Sequence, residues 1–156
     1  FGTVGGMNRY LFLILCFSLQ ACGVRAPIAH FAGATVTQST PEAFALEATF
    51  EVSNTNDEPL RLEHYKYYVT SGGRTLYQGK AAAELTVPRW ASITSSIPIV
   101  VRREDIGTQD VVSWRLEGSL SYIPPTALAE TLLKIGIVEP TTTVRAHGAA
   151  EVPVIE

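Results

Sequence analysis

From Thr35 onward the apolar side chains of this chain recur at every second position, and that period constrains the fold more than any other feature. Phe44, Leu46, Ala48, Phe50 and Val52 alternate with Ala45, Glu47, Thr49 and Glu51. Only an extended strand places such a set on one face, so the segment reads as a half-buried β-strand. Ile93, Ile97, Ile99 and Val101 form a second run, and Val112, Trp114, Leu116, Leu120 and Tyr122 a third, opposed by Ser113, Arg115, Glu117 and Ser119. Between them, Leu60 and Leu62 are followed by Tyr65, Tyr67 and Val69, a change of phase near Glu63-His64 that predicts a β-bulge. Alternation sends Tyr65 and Tyr67 to one face and His64, Lys66 and Tyr68 to the other, so one tyrosine set is core and the other lies exposed or at a sheet edge, with cross-strand packing the default reading and a recognition patch the alternative. Trp114 belongs to the core, whereas Trp90, after Pro88-Arg89, falls at a corner.

Turn chemistry separates these runs at short intervals: Asn54-Thr55-Asn56-Asp57-Glu58-Pro59, Ser71-Gly72-Gly73, Gly79 and Pro88. Short strands so punctuated predict an all-β, immunoglobulin/fibronectin III-like sandwich of about seven strands. One helix interrupts the pattern. Pro124-Pro125 ends a strand, Thr126 can cap a helix, Leu128, Leu132 and Ile135 stack at helical spacing, and Gly136 closes it. The last strand is predicted over Thr142 to Gly148, after Pro140. The helix stripe covers an open end of the sandwich, or offers Leu128 and Leu132 to a partner or a membrane surface.

The N-terminal region has a different character. Met7-Asn8-Arg9 precedes the apolar run Leu11 to Phe17, which ends at Leu19-Gln20-Ala21-Cys22. A basic start, an apolar stretch too short to span about 30 Å of hydrocarbon and a small-residue cleavage site make a secretory signal. The end of the run resembles the lipobox of bacterial lipoproteins; an ordinary signal peptide with a coincidental cysteine is the competing reading. The resemblance implies that the Cys22 thiol carries diacylglycerol, that the chain is cut after Ala21, and that the new amine is acylated. In enterobacterial lipoproteins an aspartate after the cysteine favours inner-membrane retention. Gly23-Val24-Arg25 has none, which implies an outer-membrane anchor facing the periplasm. The expected organisation is a signal over residues 1–21 with Met7 as the start, a lipidated cysteine and tether over 22–34, and one domain over 35–156.

Composition narrows the function. The chain is 46% hydrophobic and 17% charged, a balance that supports a packed core. Its formal charge of −3 leaves no basic surplus for phosphates, so nucleic acid is not an expected partner. The two cysteines, Cys16 and Cys22, are consumed by cleavage and lipid, which leaves no disulfide or thiolate chemistry in the exported domain. His30, His64 and His147 show no metal-ligand spacing, Asp57 and Glu58 lack the acidic repeat of a calcium loop, and no Gly-x-Ser-x-Gly elbow occurs. Arg102-Arg103-Glu104-Asp105 reads as a solvated charged turn. No cofactor, metal or small-molecule substrate is expected, and the chain reads as a non-enzyme.

A second resemblance covers residues 35 to 152. Val52-Ser53-Asn54-Thr55-Asn56, Leu60 and Leu62, Tyr67-Tyr68-Val69, Gly72-Gly73, Leu76, Gly79, Val87-Pro88 and Ile97-Pro98-Ile99-Val100 follow one another as in the WHy (water stress and hypersensitive response) domain of LEA type 2 proteins. Trp114-Arg115-Leu116-Glu117-Gly118 is similar to a later strand of that domain. Thr55 stands where the family has proline, while both asparagines are kept. Asn54 and Asn56 read as a turn whose side chains satisfy local backbone groups. The resemblance implies a role in tolerance of desiccation, osmotic or related stress through weak contacts with proteins or membranes, which together with the lipobox reads as a non-catalytic, lipid-anchored envelope protein. The alternative is a module that holds a periplasmic or outer-membrane assembly partner through a sheet edge or the helix.

Overall fold

The computed structural model describes residues 23–125, 131, 135–136 and 139–154. Seven strands follow in order: β1 (Ile28–Ser39), β2 (Ala43–Asn54), β3 (Leu60–Ser71), β4 (Arg74–Val87), β5 (Ala91–Arg102), β6 (Val111–Ile123) and β7 (Thr141–Glu151), with one helical turn, α1 (Arg103–Ile106), after β5. They form two antiparallel sheets, one in the order β1-β2-β5 and the other β4-β3-β6-β7. The chain is therefore a two-sheet β-sandwich.

The alternation explains the layering. Phe44, Leu46, Ala48, Phe50 and Val52 of β2 meet Tyr65, Tyr67 and Val69 of β3 and Val112, Trp114, Leu116 and Leu120 of β6 in one buried cluster, and the intervening residues face outward. Rings join the two sheets. Phe50 stacks on Tyr65 at 6.4 Å between centroids, and Phe31 sets its edge against both Phe50 and Trp114 at 5.8 Å. The Tyr67 hydroxyl donates across the sandwich to the carbonyl of Pro98 in β5. Pro98 is tolerated there because β5 is an edge strand, whose outer side needs no ladder donor.

The phase slip at Glu63-His64 is a bulge. On the β6 side, Leu62 faces Tyr122 and Tyr65 faces Leu120, so two β3 residues oppose Ser121 alone. Against β4 the register shifts at the same place, where Glu84 takes a positive φ of 44°. These paired irregularities allow Leu60 and Leu62, then Tyr65 and Tyr67, to enter the same core although their spacing is odd.

Three expectations are corrected or extended. The domain begins at Ile28 rather than Thr35, because residues assigned to a tether form the first half of β1. That half escaped notice because β1 is an edge strand, mostly exposed, whose register breaks between Phe31 and Gly33 and between Val36 and Gln38. Its one large contribution is Phe31. The charged segment after β5, expected as a solvated turn, is α1, a single helical turn with Ile106 buried and Gly107 at φ 62°. The last strand is longer than predicted and continues to Glu151. Of the helix expected over Thr126 to Gly136, only Thr131, Ile135 and Gly136 are described. Thr131 is helical, its carbonyl accepts from the Ile135 amide at 3.2 Å, and Gly136 takes φ 71°. Leu128 and Leu132 lie outside the described residues.

The two tryptophans occupy opposite environments, and this gives a stability test. Trp114 is 4% exposed and lies over Gly148, its β7 partner, where an added Cβ would come within 3.0 Å of the indole. Trp90 is 64% exposed. Trp114→Ala is expected to cost about 3–5 kcal/mol in urea unfolding followed by far-ultraviolet dichroism, whereas Trp90→Ala costs no more than about 1 kcal/mol. Full stability of Trp114→Ala would contradict this assignment of the core.

Candidate functional site

One end of the sandwich is held by two side-chain amides. Asn54 closes β2 and is 1% exposed. Its Nδ2 donates to the carbonyls of Glu58 at 2.8 Å and of Val87 and Pro88 at 3.2 Å each, and its Oδ1 accepts from the Asn56 amide at 2.9 Å. The orientation of the amide is unambiguous, since the opposite flip would turn an oxygen toward three carbonyl oxygens. Asn56 extends the network. Its Nδ2 bridges Asn54 Oδ1 at 2.8 Å and the Arg25 carbonyl at 2.9 Å, and its Oδ1 accepts from the Arg25 amide at 2.8 Å. Two side chains thus fasten the N-terminal segment, the β2–β3 turn and the β4–β5 corner.

The same end carries the most exposed aromatic ring among the described residues. Ala91, the first residue of β5, pairs with Asn54, and Trp90 immediately before it has a φ of 53°. A bulky residue in that region is an outlier held by its surroundings. Trp90 Nε1 donates to Asp57 Oδ1 at 3.1 Å, which steadies the indole over the β2–β3 turn while leaving its apolar face to solvent. On the chain entering this end, Val24 packs against the core and Pro27 is buried. Arg25 and Arg89 form no ion pair among the described residues. Leu19, Gln20, Ala21 and Cys22 lie outside the described residues, so the lipobox has no structural account.

A second cluster arises from the β3 bulge. Ser121 Oγ stands 3.0 Å from His64 Nδ1, and His64 Nε2 stands 2.9 Å from Glu139 Oε1, out of line for a hydrogen bond. Glu139 Oε2 also accepts from Lys66 at 3.2 Å. Serine, imidazole and carboxylate in a row are the components of a hydrolase, but their setting here is structural. Ser121 is 3% exposed, and its hydroxyl is also engaged with the His64 backbone, accepting from the amide at 3.3 Å and donating to the carbonyl at 3.1 Å. It closes the gap that the bulge opens in the ladder. Sequence reading missed this cluster because its members are joined by strand register, not by spacing. Among the described residues no group of three His, Cys, Asp or Glu side chains stands close enough to hold a metal, and no helix is long and apolar enough to cross a membrane.

With this geometry in place, comparison with known proteins identifies shared architecture. No family model matches the sequence, and no curated protein matches it significantly. Solved structures do. A protein from Arabidopsis thaliana matches with a TM-score of 0.63 at 16% identity, over 86% of this chain and 87% of that one. A protein provisionally assigned as late embryogenesis abundant (LEA) gives 0.63 at 15% identity, over 94% and 87% respectively. A protein from Archaeoglobus fulgidus gives 0.52 at 11% identity, over 85% and 100%. The fold is LEA-like.

Two predictions follow from the geometry of this region. Asn54→Asp sets a carboxylate against three carbonyls and is expected to cost about 3 kcal/mol or more in urea unfolding, well above Asn56→Asp at the more exposed position. Equal effects would show that the amide network is not the fastening. The second concerns pH. Burial, and next the ammonium of Lys80, hold the His64 imidazole below its ordinary value of 6.5 against the opposing pull of Glu139. The folded state then favours neutral imidazole, so its contribution is complete above pH 6.5 and is lost as pH falls through the depressed folded value. Thermal melts at stepped pH should show that decline in the wild type and a flatter profile in His64→Gln; parallel profiles would refute it.

Proposed function

We propose that this chain is a non-catalytic envelope lipoprotein of the LEA type 2 class, anchored through lipid on Cys22 and acting in tolerance of desiccation, osmotic or related stress. The observation that carries the reading is the TM-score of 0.63 to a protein provisionally placed in the LEA class, over 94% of this chain. The order of WHy-like motifs, with the two asparagines acting as a fastening, supports the same class. The lipobox-like Leu19-Gln20-Ala21-Cys22 supports the anchor, and the absence of aspartate in Gly23-Val24-Arg25 favours the outer membrane.

The mechanism consistent with this architecture is contact through rigid polar faces. The outer side of the four-stranded sheet presents Lys66, Lys80, Arg115 and Arg145 together with Glu63, Glu117 and Glu151, and the other sheet presents Glu47 and Glu51 of β2 with Arg102 of β5. Mixed charges on both faces attract partners weakly and in a salt-dependent way.

Metabolic labelling with a palmitate analogue tests the anchor. The wild type is expected to incorporate label and to be recovered in membranes, and Cys22→Ser to lose label and accumulate as precursor or soluble protein. Equal labelling of both would end the lipoprotein reading. Survival of a deletion strain after drying, set beside affinity capture from native membranes, tests the role. Reduced survival without a stoichiometric partner supports it, and one abundant partner with unchanged survival transfers the assignment to an assembly module.

A further inference from the structure

The chain between Cys22 and the folded domain is very short. Arg25 is fastened through both its amide and its carbonyl to Asn56, and Val24 already packs against the core. Three peptide steps therefore separate Cys22 from a fixed point, a reach of no more than about 11 Å. The headgroup layer of one leaflet is itself about 5–7 Å thick, from the difference between the whole bilayer and its hydrocarbon core. A lipid on Cys22 leaves little room for the domain to swing away from the surface.

The fastened end is also the end that suits such a surface. Asn56 is followed by Asp57, which holds the Trp90 indole, and Asn54 holds the corner carbonyls of Val87 and Pro88. Trp90 is the most exposed aromatic side chain among the described residues and occupies a backbone conformation that L residues avoid. Neither burial in the core nor an easy turn accounts for tryptophan there. Indole rings with one wet edge and one apolar face concentrate at the headgroup level of bilayers, and guanidinium groups pair with lipid phosphates. Arg89 adjoins Trp90 in sequence, and Arg25 lies across the Asn56 bridge.

We infer that the end of the sandwich formed by Arg25, Asn56, Arg89 and Trp90 rests on the phospholipid headgroups of the leaflet that holds Cys22, with Trp90 inserted at the interface. The inference rests on the lipid-anchored reading and adds to it an orientation. The long axis of the strands stands away from the membrane, and both charged sheet faces remain open to the periplasm.

Brominated lipids test this directly. The full chain, processed and lipidated in a bacterial host, is reconstituted into phosphatidylethanolamine–phosphatidylglycerol vesicles with or without bromine on the acyl chains. The emission of Trp90 is obtained as wild type minus Trp90→Phe, which leaves Trp114 unaltered. Brominated vesicles are expected to reduce that emission about twofold or more. Inserting about ten Gly/Ser residues between Cys22 and Gly23, with a mean span of about 17 Å, is expected to restore it while the protein still floats with the vesicles. Flotation without quenching overturns the inference and leaves the anchor intact. Failure of the wild type to float overturns both, and quenching unchanged by the insertion overturns the short tether as the orienting element.

Discussion

The buried amide of Asn54 is the interaction on which the geometry of this domain most depends. A sandwich gains most of its stability from two apolar faces, but apolar faces specify position loosely. At the end where β2, β4 and β5 converge, backbone carbonyls must be satisfied away from water, and one amide group supplies donors to three of them. Because the donors are aimed by a side chain that is itself fixed through Asn56, the turn after β2, the corner after β4 and the entering N-terminal segment are set together. Loss of Asn54 removes the donor from three carbonyls, whereas loss of Asn56 removes it from one.

The β3 bulge solves a different problem. Tyr65 and Tyr67 could not share a core with Leu60 and Leu62 in a regular strand, since their separation would send them to opposite faces. Inserting one residue against β6 corrects the phase, and the Ser121 hydroxyl repairs the ladder it interrupts. His64 is a by-product of that repair. Its imidazole is drawn toward Glu139 at the start of the approach to β7, which couples the bulge to a neighbouring connection. A row of serine, histidine and carboxylate is therefore explained by strand geometry, and the serine within it is buried.

The ends of the sandwich differ in kind. One carries the amide network, an exposed indole and two guanidinium groups without an ion pair among the described residues. The other is closed by the Arg103 guanidinium, which donates to Thr40, Ser39 and Pro153 and lies over the Phe44 ring at 6.0 Å. Half-buried and bonded to its own chain's acceptors, Arg103 is a structural closure, whereas Arg25 and Arg89 form no ion pair among the described residues. This asymmetry gives the domain a defined polarity along its strands.

By itself the sequence determined the strand class and most of the core, because an alternating period reports which side of a strand is apolar whatever the strand pairs with. The runs around Phe44 to Val52 and Val112 to Tyr122, the slip at Glu63-His64 and the division between Trp114 and Trp90 were legible for that reason. The segment Ile28–Gly33 was not, since an edge strand with a register break carries half a pattern. Nor were the partners of Asn54, which come from residues 4, 33 and 34 positions away, or the meeting of His64 with Ser121 across 57 positions. Side-chain period encodes a face but not a neighbour. Neighbours are chosen when two sheets close over a common core, and only that closure sets Arg25 against Asn56 and Trp90 beside Asp57.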